Sequence, residues 1–268
     1  MWIVQNNFIK PDQYDPLIEN LERMQEAYET VKIIPFSDEF ATPLTHDRKD
    51  LIPFGSTSLM RIAHKRGWTG LFYDPETFQV KRWINERSDM LNQDAQVMTV
   101  KEAMQLFTKA NPTDEWFIRP NADLKRFNGS FTTAEEISRW IESVESGNFQ
   151  FNEEELVSIA SPKFIVAEYR FFIVNRRIVT GSLYRMRGQK LTSMVKPGDW
   201  IWDEAQKLAE GWLPHETCVM DLSQGCVLRK TPDLKIIEFN CLNASGFYNN
   251  DVSSFTKAVT DYFKLINK

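Results

Sequence analysis

The stretch from Lys163 to Arg185, "KFIVAEYRFFIVNRRIVTGSLYR", limits the fold more than any other part of the chain. It is dense in β-branched and aromatic residues, which suit a pleated, half-buried surface. "VNRRI" interrupts it at Asn175, a residue that tolerates the positive φ of a tight hairpin turn. A long antiparallel hairpin is therefore expected. Further strands are expected in "ELVSIAS", "TCVMDLS", "CVLRK" and "LKIIEFN". Helices punctuate this β-rich part. "TVKEAMQLFTKA" opens with Thr99 and has Glu102 three residues on, the spacing of a capping box. "EWFIRPN" reads as a strand, "TTAEEISRWIESVES" as a second capped helix, and "SFTKAVTDYFKLI" as a closing one.

The first ~75 residues have a different rhythm. "MWIVQN" reads as a strand. "PDQYDPLIENLERMQEAYE" places Leu17, Leu21, Met24 and Ala27 at helical spacing. "VKIIPFS" reads as a second strand, and "PFGSTSLMRIAHKRGW" as a strand end feeding a helix that Ser56 or Thr57 can cap. The alternation of strand and helix points to a small parallel α/β unit. "YDPETFQVKRWINERSDML" is a polar connector with short ordered pieces. The change of composition near residue 95 divides the chain into an N-terminal α/β domain, 1–95, and a β-rich domain, 96–268.

Composition excludes several classes. The chain has 268 residues, 42% of them hydrophobic, with 8 Trp and 19 Phe, so it can bury real cores. A net charge of −5 lacks the basic footprint of a general nucleic-acid binder. No apolar run is long enough to span a bilayer. The start "MWIVQNNFIKPDQ" lacks the features of a secretory signal, and the three cysteines, Cys218, Cys226 and Cys241, form no paired motif. Reduced thiols and a cytoplasmic setting are expected. "NGS" at Asn128 and "NAS" at Asn243 are then chance matches to a glycosylation pattern. The three histidines are scattered and do not suggest zinc. G-x-G-x-x-G and G-x-x-x-x-G-K-[ST] are both absent, and no Ser-His-Asp or Cys-His pairing is evident.

The chemistry is concentrated in "LKIIEFNCLNASGFYNND", Leu234 to Asp251. Side chains alternate along a strand, so Ile237, Phe239 and Cys241 should point one way and Glu238 and Asn240 the other, with Ile236. Two oxygen donors then lie roughly 7 Å apart on one side. Asp221, between apolar Met220 and Leu222, is a third candidate on a neighbouring strand. Such a face either meets solvent, the commoner fate, or needs a cation to offset buried charge. Hard oxygen donors suit magnesium, which keeps waters and shares its shell with phosphates.

Basic residues upstream shift the balance. Arg119 ends one expected strand, Lys125 precedes a turn at Gly129, and Lys163, Glu168, Arg170 and Arg185 lie on the hairpin. Any one of them alone is best read as surface charge. Together with a magnesium site they are what a triphosphate needs, since arginine binds phosphate oxygens bidentately and lysine acts as a point charge.

These residues together resemble the ATP-grasp superfamily. They are more closely similar to its divergent clade named for one arginine and two lysines, which includes a eukaryotic translation-initiation assembly factor of the cell-division-cycle group. The resemblance is strongest from Phe117 to Asp251 and weaker through "FGSTSLMRIAHKRGWTGLFYD". It implies an α+β / α/β ATP-grasp fold behind a small pre-ATP-grasp-like domain, with two subdomains split near residue 158 and ATP between them. It implies ATP and Mg2+ as cofactors, with Asp221, Glu238 and Asn240 on the metal. Arg119, Lys125 and Lys163 match the clade's arginine and lysines. Glu168 and Arg170 resemble the family's Glu-x-Arg strand, Ile159 to Ser161 its adenine hinge, and "FNGSF" around Gly129 its phosphate loop. Arg170 and Arg185 are expected to stabilise charge on the transferred phosphoryl group. The family turn after Glu-x-Asn carries Pro-Gly. Here it is "CLNASGFY", in which Asn243, Ser245 and Gly246 are candidates to meet the second substrate.

Three activities fit this reading. The first is a carboxylate–amine ligase working through an acyl phosphate, with a peptide or protein as one candidate acceptor. The second is an ATP-binding assembly factor with little turnover. The third is a kinase on the same scaffold. "KRFNGSF" suits a lid or an ordinary surface turn. "FGSTS" suits an anion-binding turn or, more simply, a helix cap. Trp200, Trp202 and Trp212 suit an acceptor groove or core packing.

Overall fold

Strand β1 (Trp2–Gln5) pairs in parallel with β2 (Tyr28–Val31) and β3 (Ile52–Phe54). Helix α1 (Pro11–Arg23) makes the crossover between the first two. The computed structural model describes residues 1–7, 11–35, 37–46, 48–123, 129–137, 139, 153–225 and 234–268. The expected strand "CVLRK" and most of the expected helix "TTAEEISRWIESVES" lie outside the described residues. The expected second strand, "VKIIPFS", lies a few residues too late. The chain turns at Gln25, which has a positive φ, and Trp2 N–H donates to the Ala27 carbonyl, so pairing begins at Tyr28. Ile33 makes only an isolated bridge with Phe40. Helix α2 (Thr57–Arg66) follows β3. Ser56 occupies its N-cap position without a side-chain cap, because its hydroxyl donates to Gln5 Oε1 instead.

The connector holds one short helix, α3 (Val80–Glu86). A four-stranded antiparallel sheet then forms from β4 (Gln96–Thr99), β5 (Glu115–Pro120), β6 (Ser130–Thr133) and β7 (Leu156–Ala160), in the order β4-β7-β5-β6. Helix α4 (Val100–Lys109) covers it, packing Val100, Ala103 and Phe107 on Ile118, Val157 and Ile159. Thr99 and Glu102 form the expected capping box.

The larger sheet has five antiparallel strands: β8 (Ala167–Val174), β9 (Arg177–Met186), β10 (Gln189–Val195), β11 (Cys218–Gln224) and β12 (Leu234–Asn240). Their order is β10-β9-β8-β11-β12. The hairpin turns where expected, with Asn175 and Arg176 both at positive φ. Gly181 on β9 is required by packing, because a Cβ there would lie 2.4 Å from the Phe171 ring.

The two faces of this sheet have separate fates. Phe171, Met220, Leu222 and Phe239 pack beneath helix α5 (Trp200–Glu210). Trp202 and Trp212 pack against this core, while Trp200 is exposed. On the other face Phe172, Val174 and Val219 meet Trp2, Phe54 and the closing helix α6 (Val252–Ile266). The N-terminal sheet thus shares one hydrophobic core with half a face of the large sheet.

Strict alternation fails in β12 at one place. Asp221 pairs with Glu238 but Leu222 pairs with Ile236, so Ile237 is the extra residue of a bulge. Ile236 therefore joins Phe239 and Cys241 in the core beneath α5 instead of sharing the face of Glu238 and Asn240.

Candidate active site at the sheet-to-sheet cleft

The other half of the large-sheet face that meets the N-terminal sheet carries charged side chains. Arg170 on β8 lies opposite Asp221 on β11, which lies opposite Glu238 on β12. Register brings these three chain segments into one row. Arg170 Nε and Nη2 donate to the two Asp221 oxygens at 2.8 and 2.7 Å. Asn240 Nδ2 donates to Glu238 at 3.1 Å and to Asp221 at 3.4 Å. Arg119, from β5 of the four-stranded sheet, reaches across to Glu238 at 2.6 Å and stacks 5.4 Å from the Trp83 ring. Asp221, Glu238 and Asn240 thus come together as expected, with Arg119 beside them.

Burial sets the electrostatics. Desolvation pushes the Asp221 carboxyl up to about 6; Arg170 works against that rise, and nearby Glu238 adds to it. Burial also opposes the Arg170 charge, but the Asp221 carboxylate outweighs it and raises the guanidinium pKa. Two crowded carboxylates and an amide oxygen form a hard-donor set that a divalent cation fits. Asn240 would present Oδ1 to a metal after an amide flip, because Nδ2 now faces the carboxylates. Among the described residues no cluster of three His, Cys, Asp or Glu side chains could hold a metal.

Other expected residues have mixed fates. Arg185 ends β9, exposed, and pairs with Glu168 at 3.1 Å, which also accepts from Tyr184 at 2.8 Å. Lys163 and Ser161 both bind Asp94, past the end of β7. Ile159 is a core residue of β7, paired on both sides. Gly129 lies against β5, where a Cβ would meet the Phe117 ring at 2.9 Å and Arg119 Cβ at 3.3 Å. Lys125 and residues 126–128 of the expected lid lie outside the described residues.

Three of the expected residues lie in the interior. The Arg170 guanidinium is buried, and Nη1 donates to the Gly246 carbonyl at 3.3 Å. Asn243 is interior, donating to the Pro53 and Gly70 carbonyls at 2.7 and 2.9 Å and accepting from Phe72 N–H at 2.8 Å. Ser245 Oγ is turned back on the Cys241 carbonyl at 2.8 Å. The polar composition of "CLNASGFY" comes from folding a buried turn, with Asn243 satisfying backbone groups that would otherwise be orphaned.

Reading the sequence missed several groups. Tyr184 and Tyr248 stack at 4.8 Å, and Arg170 lies over both rings, at 5.8 and 5.0 Å. Tyr248 has a positive φ, which is uncommon for a bulky residue. Asp123 accepts from Cys241 N–H at 2.9 Å, tying the chain after β5 to the end of β12. Trp83, Asp94 and Asp123 carry no motif; only the tertiary fold brings them here.

A charged strip on one antiparallel sheet thus faces an arginine from a second antiparallel sheet. The family model for the ATP-grasp domain of the clade named for one arginine and two lysines, in the second of that clade's families, matches residues 91–258. That is more than half of the chain, and the chain belongs to that family. Solved structures agree on the fold. D-cycloserine synthetase DcsG is similar over 98% of this chain and 99% of its own, at TM-score 0.63 and 13% identity. A RimK domain ATP-grasp protein from Sphaerobacter thermophilus is similar over 98% and 100%, at TM-score 0.60 and 10% identity. The ATP-grasp ligase PsnB, solved with a minimal precursor, Mg and ADP, is similar over 98% of both chains, at TM-score 0.51 and 10% identity. No curated protein matches the sequence.

Proposed function

We propose that this chain is a Mg-ATP-dependent carboxylate–amine ligase that works through an acyl phosphate, with a peptide or protein as acceptor. The observation that carries the reading is the row Arg170–Asp221–Glu238–Asn240 facing Arg119 across the cleft. In this reading Asp221, Glu238 and Asn240 hold the ion, which when bound polarises phosphoryl oxygens. Arg119, Lys125 and Lys163 bind the triphosphate, Gly129 lets the phosphate loop approach β5, and Ile159 to Ser161 border the adenine. Arg185, exposed at a strand end, neutralises charge on the phosphoryl group. Arg170 acts as a positioning residue, fixing Asp221 and the Gly246 carbonyl. A carboxylate oxygen of the first substrate attacks the γ-phosphorus and ADP leaves; the amine nitrogen then attacks the carbonyl carbon and phosphate leaves. Gly246 backbone, rather than the Asn243 and Ser245 side chains, borders the carboxylate.

PsnB, solved with its precursor peptide PsnA2 and AMPPNP in one complex, makes a peptide acceptor the first class to try. The division near residue 95 and a cytoplasmic setting belong to the same reading. Cys218 and Cys241 are both buried. Among the described residues no helix is long and apolar enough to cross a membrane.

The test is a melting curve with ATP, with and without magnesium, followed by ADP release in the presence of carboxylate and amine pairs. A ligand that binds only the folded state raises the melting temperature with concentration. A magnesium-dependent rise and amine-dependent ADP release are expected. A rise without turnover would favour an assembly factor, and a stable phosphorylated product a kinase. No rise at millimolar ATP would overturn the reading.

A further inference from the structure

The position assigned to the metal is already filled by cations of the chain itself. Arg119 is 2.6 Å from Glu238 Oε2, and Arg170 takes both oxygens of Asp221. Asn240 turns its donor end toward the same two carboxylates. Each of the two carboxylates already has an arginine as partner, so a free divalent ion must displace a guanidinium from Glu238 to take its place. The two arginines are not equally displaceable. Arg170 is fixed within one sheet by Asp221, the Gly246 carbonyl and two tyrosine rings. Arg119 stands on the opposite sheet, and it reaches Glu238 across the space between β5 and β12.

Building on the ATP reading, we infer that Arg119 is the gatekeeper of the metal position: it holds Glu238 until a triphosphate takes the guanidinium, so the divalent ion enters with the nucleotide and not before it. The exchange needs no net separation of charge. Phosphate oxygens replace the Glu238 carboxylate as the partner of Arg119, and the metal replaces Arg119 as the partner of Glu238. The guanidinium suits this role because its fork matches either a carboxylate or a phosphate. Asn240 would follow by rotating its amide, turning Oδ1 inward.

The experiment is a titration with Mn2+ alone, followed by electron paramagnetic resonance, on the wild-type chain and on Arg119→Gln. Each is then repeated with a non-hydrolysable ATP analogue. Wild type is expected to take up no Mn2+ at millimolar concentration without nucleotide and one ion with it. Arg119→Gln is expected to bind Mn2+ alone at least about tenfold more tightly than wild type, because it leaves Glu238 without that counter-charge. The same variant should bind the analogue more weakly, so the two affinities move in opposite directions, which loss of fold integrity would not produce. Arg119→Met, which keeps the stem against Trp83, gives the same readout if the glutamine variant does not fold. Mn2+ binding to unliganded wild type as tight as to the variants overturns the inference, and so does a variant with no gain. Metal gain in the variants with no nucleotide binding by wild type would show that Arg119 blocks the metal position, but it would defeat the ATP reading and with it the exchange of Arg119 onto phosphate.

Discussion

Arg170–Asp221 and Arg119–Glu238 are both arginine–carboxylate pairs in one cleft, yet they differ in kind. The first joins adjacent strands of one sheet, with side chains only 8% and 1% exposed. The second joins two sheets, with side chains 11% and 24% exposed. A pair inside a sheet is held by backbone register and suffers the full desolvation penalty if split. A pair across a cleft is held by the approach of two separately packed bodies and keeps access to solvent. One pair is therefore suited to building the site and the other to being exchanged during its use.

The sharpest way to break this contrast is to remove one partner of the interior pair. Asp221→Ala leaves Arg170 buried and uncompensated and is expected to lower stability by about 3–5 kcal/mol in chemical denaturation. A loss no larger than that of the cleft pair would erase the distinction. Next in size is Asn243→Ala, also interior. It strands the Pro53 and Gly70 carbonyls and the Phe72 N–H and should cost about 3 kcal/mol. Its effect should fall on denaturation midpoints and leave nucleotide affinity in the folded fraction unchanged.

Glu238→Gln tests the cleft side. It should lower stability by less than Asp221→Ala does, because Glu238 keeps more contact with solvent than Asp221. It should also abolish the magnesium-dependent part of any ATP-induced melting shift. The smallest expected effect is a pH dependence away from both pairs. Burial lowers the pKa of His215, which lies beside Phe72 and whose Nδ1 accepts from Thr217 N–H. Below the unfolded value near 6.5 the unfolded chain then binds more protons, so the His215 contribution, present above that pH, is lost as pH falls. Wild type should lose stability relative to His215→Gln on acidification from neutral pH, and a flat difference in denaturation midpoints would refute this.

Much of the architecture was legible because it is written in local patterns. The Asn175 turn, the Thr99–Glu102 cap and the closing helix from "SFTKAVTDYFKLI" each depend on residues close in sequence. Errors came where a distant partner overrode local preference. Ser56 looks like a helix cap, but its hydroxyl is claimed by Gln5. Ile236 looks like a neighbour of Glu238, but the bulge at Ile237 turns it into the core. Asn243 looks like a ligand-binding residue of a polar loop, but three backbone groups from the N-terminal half claim its amide.

By itself the sequence determined that Asp221, Glu238 and Asn240 would be oxygen donors on strands, because alternation and residue chemistry are properties of short segments. Only the tertiary structure decided which cations meet them. Strand register set Arg170 against Asp221 and buried it, and the packing of one sheet against another brought Arg119 to Glu238. Electrostatic partnership depends on distance and desolvation, and neither exists until the strands have been assembled.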